Sequence, residues 1–136
     1  MSVVIFTDGG ARGNPGPAGA GAVILKDGEE IGHVSKFLGI QTNNIAEYEA
    51  LFLALETAHK ILGSPLQGVT VKMDSELIVK QMKGEYRVKN PGLKIQHQKI
   101  KEIISEGFPR ITFMHVRREQ NERADAYANE AMDRGS

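Results

Sequence analysis

The spacing of apolar positions changes along the chain, and each change predicts a different element. Val3-Val4-Ile5-Phe6 is a short apolar run ending in Thr7-Asp8, and Gly9, Gly10, Gly13, Asn14, Pro15 and Gly16 follow. This reads as a buried strand that carries one carboxylate to its exposed end and then enters a glycine-rich turn. The alternative is that Asp8 merely starts the turn, since Asp and Gly favour turns on backbone grounds alone. Ala18 to Lys26 is strand-like again, Asp27-Gly28 is a two-residue hairpin signal, and another strand is expected near Glu30 to Leu38. The first third therefore predicts an antiparallel meander.

From Asn44 the period becomes helical. Tyr48, Leu51, Leu55, Ala58 and Leu62 recur at three and four residues, and Gly63 and Pro65 lie just past the end. Val69 to Met73 predicts a strand ending at Asp74, followed by a helix from about Ser75 to Met82 that breaks near Gly84. A loop from Glu85 to Asn90 leads to a helix opening near Pro91 and running to about Glu106, closed by Gly107 and Pro109. Ile111 to Val116 is the last predicted strand, and a final helix from near Asn121 to about Met132 leaves Asp133 to Ser136 as a frayed end. A meander followed by alternating helices and strands implies a mixed sheet whose helical connections join parallel neighbours, and hence the α/β class.

Composition narrows this further. At 136 residues with 40% apolar content, the chain is expected to form one domain spanning residues 1–136. Lys and Arg number 17 and Asp and Glu number 17, so the net charge is zero, which counts against a tight, nonspecific nucleic-acid binder while allowing local basic patches. Cysteine is absent, which excludes disulfides, thiolate zinc sites and cysteine nucleophiles and leaves hard cations as the favoured metals. No stretch has the pattern of a secretion leader or approaches the roughly 18 apolar residues of a membrane span, so a soluble cytoplasmic protein without a membrane partner is expected.

The acidic residues carry the candidate chemistry. Asp8 and Asp74 each close an apolar strand, and in sheets of this kind ligands gather outside the carboxyl ends of the parallel strands. Glu47 lies three residues after Asn44 and Asp125 four after Asn121, each in the first turn of a predicted helix. Both have a structural alternative: acidic side chains favour helix N-termini, and Asn44 with Glu47 resembles a capping box. Taken together, carboxylates about 4 Å apart at an effective dielectric near 20 repel by roughly 4 kcal/mol per pair, so such a cluster needs cations to stay ionised. Two Mg²⁺ or Mn²⁺ ions are the natural occupants, and such a pair activates water and stabilises the leaving oxygen of a phosphodiester. Hydrolysis of a nucleic-acid backbone is the expectation that follows.

The segments TDGGARGNPGPAGAG, TNNIAEYEAL, MDSEL and HVRREQNERADAYANEA, in this order and spacing, resemble the signature segments of type 1 ribonuclease H, over Val3 to Ala131. The resemblance implies a ribonuclease H-like five-stranded mixed sheet of order 3-2-1-4-5, with strands 1 to 3 antiparallel and 1, 4 and 5 parallel. It implies an endonuclease that cuts the RNA strand of an RNA/DNA hybrid and leaves 5′-phosphate and 3′-hydroxyl ends. Asp8, Glu47, Asp74 and Asp125 match the family's metal-binding carboxylates. Asn14, Asn43 and Asn44 are implied contacts to the hybrid's minor groove, where a short amide can pair with the 2′-hydroxyl that distinguishes RNA from DNA. Backbone amides at Gly9 and Gly10 are expected to approach the RNA strand, with no β-carbon in the way. For the asparagines the plain alternatives are a turn at Asn14 and a helix cap at Asn44.

The chain departs from the family pattern in several places. Many members carry a histidine in a flexible loop before the last aspartate; here His115 has that spacing but falls within the strand-like Ile111 to Val116. Arg118, in the charged segment that follows, is the alternative for contacting the scissile phosphate or the leaving group. The basic helix and loop that some members insert after the Asp74 helix is reduced here to GEYRVKNPGLK, which places the chain nearest the archaeal-type subset and predicts salt-sensitive binding. Tyr86 is expected either to stack on the DNA strand or to plug the core, with Lys89 meeting a phosphate. Glu76, two residues after Asp74, either perturbs the metal site or begins a helix. Some of that subset also cut double-stranded RNA, so that duplex stands beside the hybrid as an expected partner of a monomeric enzyme. The competing readings are another nuclease on the same fold and a hybrid-binding module without catalysis.

Overall fold

The structure is a computed structural model and describes residues 2–136. Five strands form one sheet: β1 (Val3–Ala11), β2 (Gly16–Lys26), β3 (Glu29–Gln41), β4 (Val69–Met73) and β5 (Thr112–His115), in the order β3-β2-β1-β4-β5. β1 runs antiparallel to β2 and parallel to β4, β2 runs antiparallel to β3, and β4 runs parallel to β5. Four helices cover it: α1 (Asn43–Leu62), α2 (Glu76–Met82), α3 (Pro91–Gly107) and α4 (Glu122–Arg134). α1 packs on the antiparallel strands with α3 against it, and α4 packs on β1, β2 and β3.

The helical stripe behaves as its spacing predicts: Tyr48, Leu51, Leu55 and Ala58 of α1 are fully buried, against Ile5, Val69, Val71 and Met73 of the sheet. α1 is capped two residues earlier than a cap at Asn44 would give. Thr42 is its cap, its Oγ1 accepting from the Ile45 amide at 3.2 Å, so Asn44 lies inside the first turn and the alternative of an Asn44–Glu47 capping box drops out. The hairpin turn at Asp27-Gly28 has positive φ at both residues, 50° and 84°, which suits the right-handed twist of the flanking strands.

The largest difference from the sequence reading is in β1. The strand does not stop at Asp8 but continues to Ala11, because Gly9, Gly10 and Ala11 keep pairing with Ala20, Gly19 and Ala18 of β2. What ends near Asp8 is the parallel ladder to β4, whose last pair is Thr7 with Met73. Asp8 is therefore at the carboxyl end of the parallel half of the sheet while standing mid-strand in the antiparallel half. α4 also runs on to Arg134, two residues past its predicted end, because Arg134 hydrogen-bonds the Ser35 carbonyl of β3 and Gly135 closes the helix with φ 64°.

Candidate active site

Glycines set how closely the helices approach β1. A β-carbon on Gly9 would stand 2.1 Å from the carbonyl oxygen of Ala46, so only glycine allows the first turn of α1 to lie against the strand there. The next helical residue is Glu47, whose Oε1 accepts from the Gly9 amide at 2.6 Å. On the other side, Gly21 stands opposite Asp8 in the antiparallel ladder, and a β-carbon on it would meet the Ala124 carbonyl oxygen at 2.1 Å. α4 is thus pressed onto the sheet beside Asp8, at the turn that holds Asp125.

Asp125 is fixed from both directions along its helix. Four residues earlier, Asn121 is almost fully buried and its Nδ2 donates to the Thr7 carbonyl at 2.9 Å, tying the start of α4 to the residue before Asp8. Four residues later, Asn129 Nδ2 donates to the Asp125 carbonyl at 3.0 Å and to its Oδ2 at 3.2 Å. Asp74 leaves the end of β4 one residue before Ser75, which caps α2 through the Ile78 amide.

These elements bring together the carboxylates that the sequence singles out. Asp8, Glu47 and Asp74 each offer an oxygen within 4.8 Å of the others, and Asp125 lines the same recess, close enough to hydrogen-bond Asp8. Without a cation the crowding is costly. Burial, then the anions of Glu47 and Asp74, push Asp8 up from 3.8 to about 9. Burial pushes Glu47 up from 4.5 to about 8, with Asp74 repelling it while the Gly9 amide pulls the other way. An all-oxygen donor set at this spacing, two of its members held protonated by burial and mutual repulsion, fits hard divalent cations that would let all of them ionise.

The recess has a volume of about 510 Å³ and opens to solvent; Gly9, Gly10, Asn43, Asn44 and Arg118 line it with the four carboxylates. Arg118 reaches it from a short 3₁₀ turn, Arg118–Gln120, between β5 and α4. Asn14 is not in this recess. Its Oδ1 accepts from the Asn43 amide at 3.0 Å, and it lines an adjoining recess of about 340 Å³ with Thr42, Asn44 and Asn90. Gly9 does not offer its amide to a ligand, because Glu47 already holds it; Gly10, with no atom within 4 Å of where a β-carbon would stand, is the open one.

His115 ends β5 in register with Met73 and is exposed, outside the recess. Tyr86 is no core plug: it is 48% exposed, with Lys80 Nζ 4.9 Å from its ring centroid and 3.4 Å from its hydroxyl. Lys89 is exposed on the same connection, apart from the carboxylates. Glu76 begins α2 and pairs with Lys80 at 2.8 Å, so it turns to its own helix rather than to the metal ligands.

The sequence reading missed Asn129, Arg12 and Met132 as parts of this recess and Thr42 and Asn90 as parts of its neighbour. The signal for Asn129 was its position one helical turn after Asp125; for Thr42 and Asn90 it was their place as the capping residues of α1 and α3.

A family described as reverse transcriptase-like matches residues 6–131. The bifunctional protein Rv2228c of Mycobacterium tuberculosis is 42% identical over 98% of this chain, which spans 36% of that protein. Ribonuclease HI of Halobacterium salinarum is 40% identical over 94% of this chain, which spans 63% of it, and ribonuclease H of Lachnoclostridium phytofermentans is 33% identical over all of this chain and 95% of its own length. The chain thus spans about a third to two thirds of the first curated relatives it matches. Among solved structures, LC11-RNase H1 in complex with RNA/DNA hybrid superposes with a TM-score of 0.92 at 49% identity over 97% of both chains. RNase H1 of the archaeon Halobacterium salinarum superposes with a TM-score of 0.91 at 38% identity, over 98% of this chain and 99% of that one.

Proposed function

The chain belongs to the type 1 ribonuclease H family, and from that premise we propose that it is a metal-dependent endonuclease that hydrolyses the RNA strand of RNA/DNA hybrids, leaving 5′-phosphate and 3′-hydroxyl ends. The observation that carries this reading is the convergence of Asp8, Glu47, Asp74 and Asp125 on one open recess, from a strand, two helices and a strand end. A module that only bound a polyanion would gain nothing from gathering four carboxylates in the recess that faces it.

In this reading Asp8, Glu47, Asp74 and Asp125 would hold two Mg²⁺ or Mn²⁺ ions, which would supply an activated water and charge neutralisation at the phosphodiester. The protein's own part is placement. The Gly9 amide fixes which way the Glu47 carboxylate faces, and Asn129 does the same for Asp125. Arg118 on the rim offers a planar donor fork for a phosphate oxygen. Asn43 and Asn44 stand beside the carboxylates, and Asn14 supports Asn43 through its amide. Their side chains suit the 2′-hydroxyls and base edges of a minor groove, so the strand next to the carboxylates is read as RNA. The neighbouring recess lies between the first turns of α1 and α3, whose positive ends favour a phosphate of the second strand.

The test follows the fate of each strand. Hybrid, double-stranded RNA and double-stranded DNA, each labelled on one strand at a time, are incubated with the protein in Mg²⁺, Mn²⁺ or EDTA. The proposal expects cuts in the RNA strand of the hybrid in either metal, none in EDTA, and ends that a ligase accepts. Cutting of the DNA strand, or equal cutting in EDTA, would sink it; the double-stranded RNA lanes set how strictly the second strand must be DNA.

A further inference from the structure

Arg12 is a cation of the carboxylate recess that the proposed function leaves unused. It lies in the turn between β1 and β2, lines the same recess as Asp8 and Asp125, and joins Arg118 as a positive side chain there. Its guanidinium Nη2 is bound to Asp133 Oδ1 at 2.6 Å, where α4 ends, with both side chains largely in solvent at 48% and 69% exposure.

We propose that Arg12 is a contact for a backbone phosphate of the nucleic-acid substrate, and that Asp133 is a stand-in anion which the phosphate displaces. The proposal rests on the nuclease reading above, because it names a further substrate contact of that site.

Several observations favour displacement over a structural brace. An exposed ion pair of this kind adds little stability, so separating it costs little. The end of α4 is already fastened elsewhere: Arg134 donates to the Ser35 carbonyl at 2.9 Å and to Glu130 at 3.1 Å, and the Ser35 hydroxyl donates to the Tyr127 carbonyl at 2.8 Å. The backbone of Arg12, in contrast, is held firmly. Its amide donates to the Pro17 carbonyl at 2.8 Å, the preceding Ala11 amide donates to Asn43 Oδ1 at 2.8 Å, and a β-carbon on Gly16 would stand 2.2 Å from the Arg12 carbonyl oxygen. A fixed backbone carrying a long side chain on a solvent-exposed carboxylate lets the guanidinium move without the turn moving. A phosphate can accept its parallel N–H groups in a fork, a geometry for which arginine is suited.

The two explanations predict different signs. A brace is broken by removing either partner, so Arg12→Ala and Asp133→Asn should weaken binding alike. A stand-in anion competes, so the two variants should act oppositely. The experiment measures the affinity of a fluorescent RNA/DNA hybrid by anisotropy over a salt series, with Ca²⁺ in place of the catalytic cation and gels confirming that the hybrid stays intact. Thermal melts confirm that each variant folds. Arg12→Ala is expected to weaken binding about 3- to 10-fold and to reduce the salt slope by about one. Asp133→Asn is expected to tighten it about 2- to 5-fold, and Arg12→Lys to keep the wild-type slope because it keeps the charge. Weakening by both neutral variants, or an unchanged affinity for Arg12→Ala, would overturn the proposal. Wild-type cutting of the same hybrid in Mg²⁺, run alongside, reports on the nuclease reading separately: a wild type that binds by this pattern yet never cuts retires that reading and leaves the Arg12 contact standing.

Discussion

The absent β-carbon at Gly9 makes room for the first turn of α1. Its lack of a side chain suggests room for a nucleic-acid strand, yet that room is filled by the Ala46 carbonyl, and its amide is held by Glu47. Nothing in the sequence distinguishes Gly9 from Gly10, because the difference lies in α1, whose Glu47 arrives 38 residues later. Gly9→Ala should therefore push the first turn of α1 off the strand, cost about 1–3 kcal/mol of stability and misplace Glu47. Gly10→Ala should leave stability within about 0.5 kcal/mol of wild type, since its side has open space, and act only on substrate binding. Chemical denaturation of the two variants checks this, and equal destabilisation would contradict it. The four carboxylates, by comparison, were legible as candidates from type and position, but only the fold shows that they share one recess.

At the scale of elements, the helix periods and the hairpin were legible because each is written in local spacing. Strand and helix ends were less so. β1 runs past Asp8 because β2 continues to pair with it, and α1 starts at a Thr42 cap rather than an asparagine; both depend on partners remote in sequence or on a choice between adjacent capping residues. The tie between β1 and α4 is of the same kind. Asn121 bonds the Thr7 carbonyl and, through its own carbonyl, the Asp125 amide at 3.1 Å, so it sets the position of one carboxylate relative to another 117 residues away (125 − 8). Asn121→Ala removes a buried donor and leaves the Thr7 carbonyl without it, which should cost about 1–3 kcal/mol. Because the tie also places Asp125, the metal concentration needed for half-maximal cutting should rise, and Asn121→Asp should not restore it, since a carboxylate cannot donate to a carbonyl. A variant that loses stability while keeping the wild-type metal requirement would show that α4 is placed without this tie.

The whole molecule is neutral, and its largest pH-sensitive groups are in the recess, where two carboxylates are pushed far above their ordinary range. Burial, with repulsion from their neighbours, pushes Asp8 and Glu47 up to about 9 and about 8 from 3.8 and 4.5, so the native state holds more protons than the unfolded chain between those limits. The contribution of these two carboxylates to the stability of the metal-free protein then falls as pH rises through that window, most of the loss being complete above pH 9. A divalent cation that binds the ionised carboxylates competes with those protons, so the gain in melting temperature on adding Mg²⁺ should grow with pH. Melts in EDTA and in Mg²⁺ at about pH 5, 7 and 9 test both parts. A metal-free melting temperature that climbs over this range, or a Mg²⁺ gain as large at the acid end as at the alkaline end, would contradict the picture of mutually repelling carboxylates.

The most direct measurement compares wild type with Asp74→Asn in single-turnover cutting of a strand-labelled RNA/DNA hybrid in Mg²⁺, with hybrid affinity measured on the same preparations. Asp74 is chosen because it is the least buried of the three carboxylates that converge within 4.8 Å, so its amide is tolerated by the fold. The account predicts that the variant binds the hybrid within a few-fold of wild type while its rate of RNA-strand cutting falls by about a thousand-fold or more, a change of roughly 4 kcal/mol in the barrier. A variant that still cuts the RNA strand within about tenfold of wild type would mean that the carboxylate recess is not where the reaction occurs.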